Sequence, residues 1–167
     1  MNSNVTLDLT QLRLLKAEMR KARGARVHVG IMGDKAERVN TKGASGKNNP
    51  TIGMEHEFGI KGGDATRPQL PQRSFLRMPL MTRLGNEVDK IGKVVLRQII
   101  INHKMRGGLS QLGELALVVI RQAFATEGWG QWPKLSPYTV AKKGSTKILI
   151  DHGEMRQAIS LKVVIKP

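Results

Sequence analysis

The sequence predicts an α+β fold in one domain, a small antiparallel sheet packed with about three main helices and interrupted by two long mobile loops. Three observations lead there. The 167 residues suit a single domain of ordinary size. Three stretches carry apolar residues at helical spacing, and the segments at 26–32 and 161–165 read as strands. Apolar residues make up 40% of the chain but aromatics only 4%, so the core must be mainly aliphatic.

Taken in order, Leu12, Leu15, Met19 and Ala22 follow a three–four spacing with Arg13, Lys16, Arg20, Lys21 and Arg23 on the other faces, which predicts a basic amphipathic helix over 7–23 that Gly24 ends. Val27, Val29 and Ile31 then alternate with polar or small residues, predicting a strand, and Gly33-Asp34 supplies the turn after it. Residues 34–51 have no apolar period and read as the first long loop. Residues 51–58 fit a short helix or a strand equally. The second loop, 60–72, contains Gly62, Gly63, Pro68 and Pro71. Leu84, Val88, Ile91, Val95 and Ile99 make an unbroken helical stripe, with Pro79 acceptable in the first turn and Gly107-Gly108 as the break. A third helix carries Leu109, Leu112, Ala116, Val119 and Ala123, with Ser110 as a candidate cap, and should pack on its predecessor as a hairpin. Ser136-Pro137 is a cap-then-proline start for a short helix ending at Gly144. One more short helix is expected over 151–159, before the final strand.

Composition narrows the chemistry. Without cysteine, disulfides, thiolate nucleophiles, thiolate zinc sites and iron–sulfur clusters are excluded. The amino terminus lacks the pattern of a signal peptide, and the longest apolar runs are cut by Arg97, Gln98 and Arg121, so neither secretion nor a membrane span is expected. The formal charge is +15, divided as +6, +5 and +4 over residues 1–50, 51–110 and 111–167. So even a spread points to a folded body with a basic face or lining, attractive to polyanions, rather than to a basic tail.

The candidate motifs fit ordinary structural roles better than chemistry. Gly43-Ala-Ser-Gly-Lys47-Asn48 has two residues between its glycines and Asn after Lys, where a phosphate-binding loop needs four and a hydroxyl. Glu55-His56-Glu57 offers metal-type ligands whose side chains diverge on either a helix or a strand. Asp151-His152 has no nucleophile signature beside it and reads as a helix start. Zinc-finger and aromatic RNA-binding patterns do not occur, and six aromatics poorly supply a stacking platform. No cofactor or metal is expected. Non-specific attraction of phosphates by Lys and Arg survives these tests.

Several segments together carry a resemblance. Trp132-Pro-Lys-Leu-Ser-Pro-Tyr-Thr139 with Lys142, followed by 148–159, resembles the "W-x-x-L-x-x-x-T … K … I-L-x-D-x-G-x-L-x-x-S-I" signature of tailed-phage virion morphogenesis proteins of the Mu type and related tail-completion and neck proteins. Pro71-Gln-Arg-Ser-Phe-Leu76 is similar to the "P-x-R-P-F-L" segment of that group. Val27-His-Val-Gly30 and Met54-Glu-His-Glu-Phe-Gly59 resemble its early strand and "E-x-G" stretch. Ser74 stands where Pro is usual, Met155 for Leu, and His152 for a small or hydroxyl residue.

The resemblance implies a non-enzymatic virion protein at the neck or the head-proximal tail end, in the host cytoplasm during assembly, joining head to tail or terminating the tail tube as a ring of identical subunits. Implied partners are other copies, neck, portal-adaptor or tail-tube proteins, and packaged DNA. Arg73, Phe75, Trp129, Trp132 and Lys142 are the expected subunit or partner contacts, and Lys42, Lys47, Lys61 and Arg67, on or beside the loops, the groups expected to face DNA or an acidic partner. Trp132, Leu135, Tyr138 and the 148–150 run also read, on burial grounds alone, as one plug fastening the carboxy-terminal segment to the helical pair. Phe75 fits a core anchor equally well.

Overall fold

In a computed structural model the described residues are 9–37, 46–62, 69–150 and 153–165. They form α1 (Leu9–Gly24), β1 (Arg26–Ile31), α2 (Asp34–Glu37), α3 (Asn49–Phe58), α4 (Arg77–Ile100), α5 (Met105–Ala125), α6 (Pro137–Lys143), α7 (Glu154–Gln157) and β2 (Ile159–Val164). The class is α+β, with α1, α4 and α5 as the three long helices.

β1 and β2 pair antiparallel, in register from Arg26 opposite Val164 to Ile31 opposite Ile159. A two-stranded ribbon is marginal alone. Here it lies on α5, where the absence of a side chain at Gly113 lets it close in: a Cβ there would meet Val27 Cγ1 at 3.0 Å and Leu161 Cδ2 at 3.1 Å. Val29, Ile31 and Leu161 pack against the core from the same ribbon.

That core is Phe75, Leu117, Ile120, Ala123, Phe124, Trp132, Ile148, Met155 and Ile159. The aromatics are few but concentrated. Phe124 stands 5.3 Å from Phe75, ring centre to ring centre, and edge-on to Trp132 at 5.8 Å. Such tilted contacts add about 0.5–1.5 kcal/mol each beyond area burial.

Three expectations are corrected. The helical break falls at 101–104, where His103 takes a positive φ of 52°, and Gly107-Gly108 lie inside α5. A Cβ on Gly108 would sit 2.5 Å from Ile99 Cγ1, so this glycine serves close helix packing rather than termination. Ser110 is accordingly an interior helical residue and caps nothing. The first loop is shorter than predicted: 34–37 is helical, and α3 begins at Asn49 under the cap of Asn48, whose Oδ1 accepts from Thr51 N at 3.0 Å and Thr51 Oγ1 at 2.7 Å. This also resolves 51–58 as helix. Finally, Tyr138 stands outside the carboxy-terminal plug, exposed on α6, while Trp132 and Ile148 are buried and Leu135, Leu149 and Ile150 partly so. The α6 boundaries match expectation, because Ser136 Oγ accepts from Thr139 N at 3.2 Å and Gly144 adopts the left-handed turn.

Candidate functional site

The start of α4 has no cap of its own: Leu76 stands at the cap position and offers no side-chain acceptor. Its orphan amides are met from another helix. Glu57, buried at the end of α3, accepts from Phe75 N, Leu76 N and Arg77 N, each at 2.9 Å, and from the Ser74 hydroxyl. Ser74 Oγ in turn accepts from Met78 N at 3.0 Å. A carboxylate here meets unsatisfied N–H groups and the positive end of the helix dipole together.

Around this cap the chain is tied at several further points. Gln72 Nε2 donates to Glu57 O and Arg73 N donates to His56 O. The Arg73 guanidinium, itself buried, donates through Nε to Pro133 O at 2.9 Å and through Nη2 to Lys134 O at 3.2 Å. Trp132 Nε1 donates to Ser74 O at 3.2 Å. Burial pulls the Arg73 pKa below its ordinary value. Half-buried His56 is pushed down to about 4, first by desolvation, then by Arg73 and Lys143 against the opposing pull of Glu55. Its Nδ1 has no hydrogen-bond partner among the described residues. Thus 56–59, 71–77 and 132–134 form one internal joint.

On the outer side of the joint lies a cleft of about 530 Å³ lined by Gln72, Arg77, Thr82, Arg83, Trp129 and Gln131, among others. The 127–130 turn that forms its wall runs through four consecutive positive φ angles, with Glu127 at 52° and Trp129 at 55°. Non-glycine residues held there cost roughly 1–3 kcal/mol each. Trp129 N donates to Thr126 Oγ1, and the Arg83 guanidinium lies 5.0 Å from the centre of the Trp129 ring. The lining combines guanidiniums, amides and a hydroxyl with the apolar surfaces of Met78, Pro79 and two indoles.

The expected site residues are therefore divided. Phe75, Trp132 and Arg73 are buried, Phe75 at 0% exposed, and all three are fastened within the chain, although Trp132 also reaches the wall of the cleft. Trp129 borders the cleft, and Lys142 is exposed on α6. Lys47 is paired with Glu55 and Lys61 is exposed. Lys42, Arg67 and the Asp151-His152 pair lie outside the described residues. Glu55, His56 and Glu57 do not converge, and among the described residues no cluster of three His, Cys, Asp or Glu is placed to hold a metal. No described helix is long and apolar enough to cross a membrane.

Sequence reading missed Glu57 as a cap because its partners lie 17 to 20 residues away. A usable signal was the lack of Ser, Thr, Asp or Asn at 76, before a helix whose first turn already contains Pro79. Compared with protein-family models, with curated proteins and with solved structures, the chain matches none of them.

Proposed function

We propose that this chain is a structural, non-enzymatic protein of a tailed-phage virion that acts in tail completion and head-to-tail joining, as a homo-oligomeric ring at the neck or the head-proximal end of the tail. The observation that carries the reading is the meeting of the segments on which the resemblance rests. Glu57, Arg73, Ser74 and Trp132 are bound to one another or to shared backbone in a single buried joint. Residues that hold a fold from within explain a likeness without requiring a catalytic centre, and they leave the outer surface for assembly contacts.

The charge supports the same reading. A ring with +15 on each subunit offers a channel or rim that phosphates approach without sequence being read. The contacts of such a ring are heterologous, one patch meeting a different patch on the next copy. The Trp129 cleft and the α6 surface with Lys142 remain available for them.

Disrupting the gene in the phage that encodes it tests the proposal. Filled heads and finished tails should accumulate unjoined and be rescued by the wild-type chain. A normal yield of joined particles, or a block before heads fill, would overturn it. The high charge also favours a second reading, non-specific DNA binding. That reading requires tight duplex binding at low salt, a steep loss as salt rises and no tendency to join particles.

A further inference from the structure

The helical stripe that the sequence marks as the inward face of α1 is left largely bare by the fold. Met19 is 63% exposed, and across from it on α4 Leu96 is 56% and Ile100 is 42% exposed. Between them runs a groove of about 280 Å³ lined by Leu15, Met19, Ala22, Leu96, Ile99 and Ile100, among others. Its rim is cationic. Lys16 and Arg23 lie one turn before and after Met19, and Lys93 and Arg97 one turn before Leu96 and Ile100. All four are exposed, and none has an ion-pair partner among the described residues. Over residues 9–24 the sole carboxylate is Glu18, and 90–106 contain none.

Glu18 adds an independent observation. It lines the groove, is 5% exposed, and binds Lys21 Nζ through Oε1 at 2.7 Å while Oε2 has no partner among the described residues. A buried acceptor left open costs stability until a donor reaches it.

We infer that this groove is the docking site for an acidic amphipathic helix of another protein, which seats an apolar stripe between α1 and α4, sets carboxylates against Lys16, Arg23, Lys93 and Arg97, and brings one neutral donor to Glu18. A second copy laying its own α1–α4 face here is the poorer occupant, because it would set Lys16, Arg23, Lys93 and Arg97 against the same cations. Helix-in-groove docking of this kind draws affinity from the apolar stripe and partner choice from the rim charges. The inference concerns the partner's chemistry alone. It stands apart from the proposed virion role, since a protein absent from particles could still hold such a helix.

The test uses the full chain and labelled model peptides, read by fluorescence anisotropy and analytical ultracentrifugation. One peptide has a leucine stripe flanked by glutamates with a central serine, a second replaces the glutamates by lysines, and a third replaces the leucines by alanines at unchanged charge. The leucine–glutamate peptide should bind saturably, at least about tenfold tighter than either control, and lose about tenfold or more in the double variant Arg23→Glu with Arg97→Glu. Both substitutions are on the surface, and an unchanged thermal midpoint shows that the variant is folded. Equal binding of the alanine peptide would mean charge attraction alone and overturn the inference. So would equal binding to the charge-reversed chain, no binding at all, or a dimer of the free protein that Met19→Glu dissociates.

Discussion

At Glu57 one carboxylate satisfies three backbone amides and a hydroxyl that α4 leaves open. Glu57→Ala should therefore destabilise by about 3 kcal/mol or more, and Glu57→Gln, which keeps one acceptor oxygen, by about 2, read as shifts of the urea midpoint at constant slope. His56 gives a pH dependence. Its folded pKa of about 4 lies below the ordinary 6.5, so the folded protein binds the proton less readily than the unfolded chain. Stability is complete above about pH 6.5, falls as the pH drops towards 4 and levels off below it, with a loss of roughly 3 kcal/mol. His56→Gln should flatten that part of the curve when urea midpoints are compared at pH 7 and pH 4.5. The sequence displayed Glu57 and His56 side by side as metal-type ligands. Only the fold could show one as a helix cap and the other as a half-buried neutral ring, because the partners that decide it, Phe75 to Arg77 and Arg73, come from a distant segment.

Among the elements, the α4–α5 hairpin offers a paired test of what its glycines do. Gly108→Ala drives a Cβ into Ile99 and should cost about 1–3 kcal/mol despite the better helix propensity of alanine. The neighbouring Gly107 has nothing nearer than 3.6 Å, so Gly107→Ala should stabilise by up to about 1 kcal/mol. Thermal midpoints of the two variants should move in opposite directions. Local signals that act within a turn were legible here: Ser136-Pro137 and Gly144 bounded α6, and the Val27, Val29, Ile31 alternation located β1. The break between α4 and α5 was misplaced because glycine has two uses, ending a helix and letting another approach. Sequence spacing alone does not distinguish them. The same limit applies to Phe75 and Trp132, whose types suit an interface or a core, and whose burial was decided by Phe124 between them.

Across the whole molecule, burial is uneven. Nine residues of α5 are buried, whereas α1 buries Glu18 alone and leaves Leu9, Leu12, Leu14 and Met19 in solvent. Amide hydrogen exchange should accordingly be far faster over 9–24 than over 113–124 in the free protein, and the difference should shrink when the α1–α4 face is covered. This exposure was not legible in the sequence, where a three–four apolar stripe reads as a core face whoever supplies the core. The charge was legible, and a chain so basic, held together by an internal joint and bare on one apolar face, has the surface that the proposed assembly role requires. The most direct measurement is the copy number of this chain relative to the portal protein, by quantitative mass spectrometry of gradient-purified virions. The proposed role predicts a constant small-integer ratio typical of stacked rings. Absence of the chain from mature particles would contradict it.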